Sequence, residues 1–167
     1  AGSTSSCARK RRSLDALIGR THMFLAAGEY SGALAAAEEA AALYPERVEA
    51  FLSVGQVRWA MGDFSEALAA TDHALALSPG EAGSLLLRAD LKALLGRQLE
   101  AERDYLAVLR HDPGDWRARY GRCRSLFDLG AGDELVKEAH RLADAMKGAP
   151  SALSAAGSVY RSLRRLD

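Results

Sequence analysis

Four glycines, Gly28, Gly62, Gly96 and Gly130, recur at one constant interval, and three prolines, Pro45, Pro79 and Pro113, keep the same interval. Ala33, Ala67 and Ala101 each follow one of the first three glycines at the same offset. A period shared by three residue types marks a chain made of one supersecondary unit copied along its length. This constrains the fold more than any other feature, because each copy must stack on its neighbour to bury its apolar face.

The markers have a physical reading. Ala and Leu dominate and β-branched residues are scarce, so helix propensity is high. Glycine ends a helix by taking the left-handed conformation without steric cost. Asp63, with Glu66 one helical turn later, reads as a capping pair at the start of the next helix. Proline closes that second helix, since it lacks the amide donor needed to continue. The stretches from glycine to proline and from proline to glycine are equal in length, each with room for one short helix and a joint. Each unit is therefore expected to be two antiparallel helices, and the fold class all-α.

The spacing resembles the tetratricopeptide repeat, with units 14–47, 48–81, 82–115 and 116–152. The second unit carries the resemblance best, through Phe51, Gly55, Trp59, Gly62, Phe64, Ala67, Ala74 and Pro79. The first keeps Leu17, Phe24, Gly28, Tyr30, Ala33, Ala40 and Pro45. The third keeps Leu85, Ala89, Gly96, Ala101, Tyr105 and Pro113, with Gln98 where an aromatic is expected and Val108 where an alanine is expected. The fourth keeps Cys123 and Gly130, but Pro150 comes late, so its second helix or the turn "GAGDE" is expected to hold an insertion. Residues 1–13 read as a flexible tail and 14–167 as a single repeat domain. The segment 153–167 starts like a fifth first helix and stops at the joint. It is either a terminal capping helix or the start of a further repeat in a longer array; the bare ending favours the second. The resemblance implies a right-handed α-solenoid, a superhelix of about four helix pairs plus a terminal helix, whose first helices line a concave wall.

Formal net charge is zero over 167 residues, against the basic excess usual in nucleic-acid-binding domains. "RKRR" at Arg9–Arg12 reads as a solvated tail. No apolar run approaches about 18 residues and no signal peptide is apparent, so a soluble chain with no membrane span is expected. Compartment stays open. Cys7 and Cys123 are too few for a disulfide framework, and Cys123 falls at a close-packed position, where a buried, inert thiol is expected. His22, His73, His111 and His140 occupy different repeat positions, and no metal-ligand, nucleophile-elbow or phosphate-loop pattern occurs. No catalytic residue, metal or cofactor is expected.

The expected site is the wall formed by the first helices, read as columns with one residue per repeat. Ile18, Leu52, Leu86 and Tyr120 form one column, and Leu25, Trp59, Ala93 and Phe127 another. His22, Gln56, Asp90 and Arg124 make a polar column between them. The wall is acidic early, at Asp15 and Glu49, and basic late, at Arg117, Arg119, Arg122 and Arg124; the late arginines are expected to solvate a face with their stems over apolar surface. Contacts to a protein or peptide are expected from Leu52, Gln56, Trp59, Leu86, Asp90, Tyr120, Arg124 and Phe127. A branch of the family grips chaperone C-termini with a lysine-and-asparagine clamp. Those positions hold Ile18, His22, Ser53, Gly83 and Leu87 here, or Leu52, Gln56, Leu87, Arg117 and Gly121 one unit later, and the chain has no asparagine, so no clamp is expected in either register. The reading is a non-enzymatic interaction scaffold. The alternatives are the regulatory or docking array of a larger enzyme, such as a glycosyltransferase or sulfotransferase, and a self-assembling scaffold, with oligomeric state left open.

Overall fold

The computed structural model describes residues 13–145. Cys7, "RKRR", Pro150 and the expected terminal helix 153–167 lie outside the described residues. Eight helices occur among those described: α1 (Leu14–Ala26), α2 (Tyr30–Leu43), α3 (Val48–Met61), α4 (Phe64–Leu77), α5 (Ala82–Leu94), α6 (Gln98–His111), α7 (Trp116–Asp128) and α8 (Gly132–Ala145). First helices begin at Leu14, Val48, Ala82 and Trp116 and second helices at Tyr30, Phe64, Gln98 and Gly132, so both series keep the period of the glycines. Because α8 starts in register, the α7–α8 turn holds no extra residue. The chain divides into two compact units, residues 1–87 and 88–167, with the division inside α5.

The glycine joints work as their chemistry requires. Gly62 has φ 85°, its amide bonds to Trp59 O at 2.9 Å, and the Asp63 amide bonds to Arg58 O at 2.9 Å. This is a Schellman closure, which satisfies the last carbonyls of α3. Gly28, Gly96 and Gly130 close α1, α5 and α7 with the same pair of bonds. The expected Asp63 cap does not form. Asp63 (φ −81°, ψ 65°) makes no side-chain bond to the α4 amides, and its Oδ2 accepts from Arg58 Nη1 at 3.3 Å. Its amide is already tied into the glycine turn, and its backbone lacks the extended geometry of a capping residue. Side-chain caps appear where the preceding joint is longer: Asp115 Oδ1 accepts from Arg117 N at 2.9 Å and Ala118 N at 3.0 Å. The second helices α2, α4 and α6 end at Leu43, Leu77 and His111, each just short of its proline.

In the first unit, small side chains set the helix separation. Ala33, Ala36, Ala37, Ala40, Ala50, Ala67 and Ala74 are fully buried. Leu14, Leu17, Ala40 and Ala50 form one apolar cluster with Ile18 and Tyr44 against it, and Ala33, Ala37 and Val57 form a second with Phe24 and Leu34. A Cβ at Gly55 would come within 2.8 Å of Thr71 Oγ1 and 3.1 Å of Leu87 Cδ2, so α3 approaches its neighbours at van der Waals limit there.

The second unit is assembled differently. Cys123, Leu126, Leu135, Ala139 and Leu142 form an apolar cluster between α7 and α8. The unit also holds buried charges. Asp104, nearly buried on α6, takes Arg88 Nε and Nη2 at 2.8 Å each and Lys92 Nζ at 2.9 Å. Glu138 on α8 is 1% exposed and is held by Arg119 Nη1 and Arg122 Nη1, each at 2.6 Å. Arg122 also reaches Glu102 on α6 at 3.2 Å. Buried charges are tolerated in such settings because they are paired and hydrogen-bonded.

Candidate functional site

In the first unit, α3 carries Leu52, Gln56 and Trp59 at helical spacing. Leu52 and Gln56 are half-buried. Leu52 lies beside the start of α5, where a Cβ on Gly83 would sit 3.2 Å from Leu52 Cδ2. Trp59 is 39% exposed, a large apolar surface left uncovered near the end of α3. Leu86 on α5 is half-buried. On α1, Ile18 and Leu25 pack against the apolar clusters, whereas His22 is exposed. Two of the positions where the clamp would sit are closed to a ligand: Ser53 is buried with its hydroxyl donating to Glu49 O at 2.8 Å, and Leu87 is buried.

In the second unit, Asp90 on α5 is half-buried and its Oδ1 accepts from the Tyr105 hydroxyl at 2.6 Å. Burial pushes the Asp90 carboxyl above the ordinary aspartate range, against the pull of the Tyr105 hydrogen bond and the Arg124 charge. Burial and the Asp90 charge together push the Tyr105 phenol far up, so it stays protonated and donates. The Tyr105 ring lies directly over Gly121 of α7, leaving no room for a Cβ there. A side chain of the second helix is thus braced against both neighbouring first helices of its unit.

The α7 sequence "WRARYGRCRSLFD" holds four arginines, and the structure sorts them into two pairs. Arg119 and Arg122 turn inward to Glu138 and Glu102, with side chains only 14% and 13% exposed. This corrects the reading of the late arginines as one solvated face. Arg117 and Arg124 are exposed, and among the described residues neither forms an ion pair with a carboxylate. Arg117 lies over the Trp116 ring at 5.8 Å. Tyr120 and Phe127 are half-buried and also lean on the α7–α8 cluster. The inward pairs were detectable as a period. Arg88–Asp104 and Arg122–Glu138 have the same separation in sequence, and the second pair follows the first by one repeat. The position of Asp104 and Glu138 is held in the first two repeats by Ala36 and Ala70.

The charge polarity follows the units. Residues 13–87 contain ten carboxylates and three arginines, whereas residues 88–145 contain eleven acidic and eleven basic side chains. The described residues of the first unit are therefore acidic in balance, while the basic character of the second is local to α7.

Cys123 is buried and its thiol is pushed up to about 12 by burial, with Glu138 adding to the shift. It is protonated at neutral pH and is not an activated nucleophile. Among the described residues, no group of three or more His, Cys, Asp or Glu is placed to hold a metal ion. His73 stacks on Phe51 at 4.0 Å, and His140 Nδ1 lies 2.9 Å from Val136 O. No helix among the described residues is long and apolar enough to cross a membrane.

No family model matches the chain, and no curated protein matches it significantly. Solved structures do. The thermophilic TPR protein TTC0263 of Thermus thermophilus is 20% identical with a TM-score of 0.79, over 96% of this chain and 86% of that one. MamA is 17% identical with a TM-score of 0.74, over 86% of this chain and 84% of that one. YrrB, described as a TPR protein with an unusual peptide-binding site, is 18% identical with a TM-score of 0.70, over 99% of this chain and 87% of that one. The helix pairs, the Schellman glycines, the unbroken period and these likenesses lead to one conclusion: the chain has the all-α fold of the tetratricopeptide-repeat proteins.

Proposed function

We propose that the chain is a non-enzymatic protein-interaction module that takes a peptide segment or partner helix on the faces of its first helices. Leu52, Gln56, Trp59 and Leu86 supply the surface in the first unit, and Asp90, Tyr120, Arg124 and Phe127 in the second. The observation that carries this reading is Trp59, an aromatic ring 39% exposed one helical turn beyond a half-buried amide, Gln56. Exposed aromatics beside polar groups are the usual anchors of peptide recognition. YrrB, of similar fold, is described as having a peptide-binding site, which supports the class of ligand.

Selection from a random peptide library on the purified protein tests the reading. Selected peptides are expected to lose on the order of tenfold in affinity for the Trp59→Ala variant, with its helical circular dichroism retained. Peptides that bind this variant as well as the parent remove Trp59 from the site and the reading with it.

A further inference from the structure

We infer that the exposed face of α7 selects an acidic segment, binding side-chain carboxylates through Arg117 and Arg124; this rests on the peptide-binding reading above and names the partner's chemistry. The four arginines of α7 have equal intrinsic charge, and the tertiary structure distinguishes them. Arg119 and Arg122 are neutralised internally by Glu138 and Glu102. Arg117 and Arg124 lie two helical turns apart, on one face of the helix and about 10 Å apart along its axis. Neither meets a carboxylate among the described residues. Asp90 is near enough for its charge to be felt by Arg124, but its Oδ1 accepts from the Tyr105 hydroxyl and it forms no ion pair with Arg124.

Tyr120 lies between Arg117 and Arg124 along the helix on this face, and Phe127 follows Arg124 at the same offset as Tyr120 follows Arg117. The face therefore alternates cation and aromatic ring. The complementary ligand carries carboxylates that reach both guanidinium groups, with apolar side chains between and beyond them. Arginine suits this task because its planar fork binds carboxylate oxygens in pairs.

The test uses three fluorescein-labelled, C-terminally amidated peptides of one length: Glu and Leu in alternation, Gln and Leu, and Lys and Leu. Titrated by anisotropy against the full chain, the Glu peptide is expected to bind on the order of tenfold tighter than the Gln peptide, with the advantage shrinking as salt is raised. Arg117→Glu and Arg124→Glu are each expected to remove most of that advantage, and R124K to keep part of it. Both arginines are exposed, so the variants fold, and circular dichroism checks this. Equal binding of Glu and Gln peptides, with no effect of either reversal, overturns the acidic preference. If Trp59→Ala still weakens peptides selected from a library, the broader peptide-binding reading survives that result. Tighter binding of the Lys peptide to the parent also overturns the inference.

Discussion

Glu138 of α8 lies between Arg119 and Arg122 of α7, 2.6 Å from each guanidinium and 1% exposed to solvent. It joins the last described helix pair through charge at a position where the first two repeats use alanine. A buried carboxylate costs several kcal/mol to desolvate, and the two guanidinium groups offset this only while all three are present. Glu138→Ala is therefore expected to destabilise the fold by about 3–5 kcal/mol. The double variant Arg122→Met with Glu138→Leu is expected to lose less than Glu138→Ala alone, since it removes a buried guanidinium together with the carboxylate and refills the space with apolar side chains, while Glu102, which loses Arg122, is partly exposed to solvent. Urea denaturation followed by circular dichroism measures both. Equal losses in the two variants would contradict the pairing.

Gly121 faces the Tyr105 ring with no space for a Cβ. Gly121→Ala is expected to cost about 1–3 kcal/mol, because the ring must leave its place over α7. The other repeats avoid the conflict with a smaller residue equivalent to Tyr105: Ala37, Thr71 or Ala139. Tyr105→Ala is expected to abolish most of the additional loss caused by Gly121→Ala. A thermodynamic cycle over the four proteins measures the coupling; additive losses would show that ring and glycine do not constrain each other.

Asp104 titrates below the ordinary aspartate value: burial works against ionisation, but the Arg88 and Lys92 hydrogen bonds outweigh it. A carboxyl depressed in the folded state adds stability above its unfolded pKa, and that stability is lost as pH falls through the folded value. Unfolding free energy is thus expected to drop as pH falls below about 4, with Asp104→Asn flattening part of that slope. Chemical denaturation at a series of acidic pH values provides the readout, and an unchanged slope in the variant would exclude Asp104 as a source.

Asp90 shifts the other way. Burial raises its pKa, and the Tyr105 hydrogen bond and Arg124 charge restrain the rise. A carboxyl raised in the folded state stabilises the fold below its unfolded pKa and loses that contribution as pH rises through the folded value. Tyr105→Phe and Arg124→Gln are each expected to move the Asp90 titration further upward. Carboxyl carbon chemical shifts followed by NMR across the acidic range would report it. A downward move in either variant would mean that these groups do not stabilise the carboxylate.

The periodic glycines and prolines by themselves determined that the chain forms helix pairs and where the helices from α1 to α7 end. These are local events: a left-handed glycine or a missing amide acts within a few residues, so Gly62 and Pro79 could be read without their neighbours. The Asp63 cap was misread for a related reason, since its amide already serves the Gly62 closure. What only the tertiary structure decided is the fate of side chains that meet across helices. Arg119, Arg122 and Arg124 look alike in sequence, yet two are drawn inward by Glu138 and one is not. That sorting depends on which carboxylate lies across the helix interface, and desolvation makes the difference large. The same holds for Trp59 and Phe127, equivalent in the repeat: Phe127 rests on the α7–α8 cluster, whereas Trp59 remains substantially exposed. Helix boundaries follow from backbone chemistry near in sequence, while the surface a partner meets depends on what remains uncovered after packing.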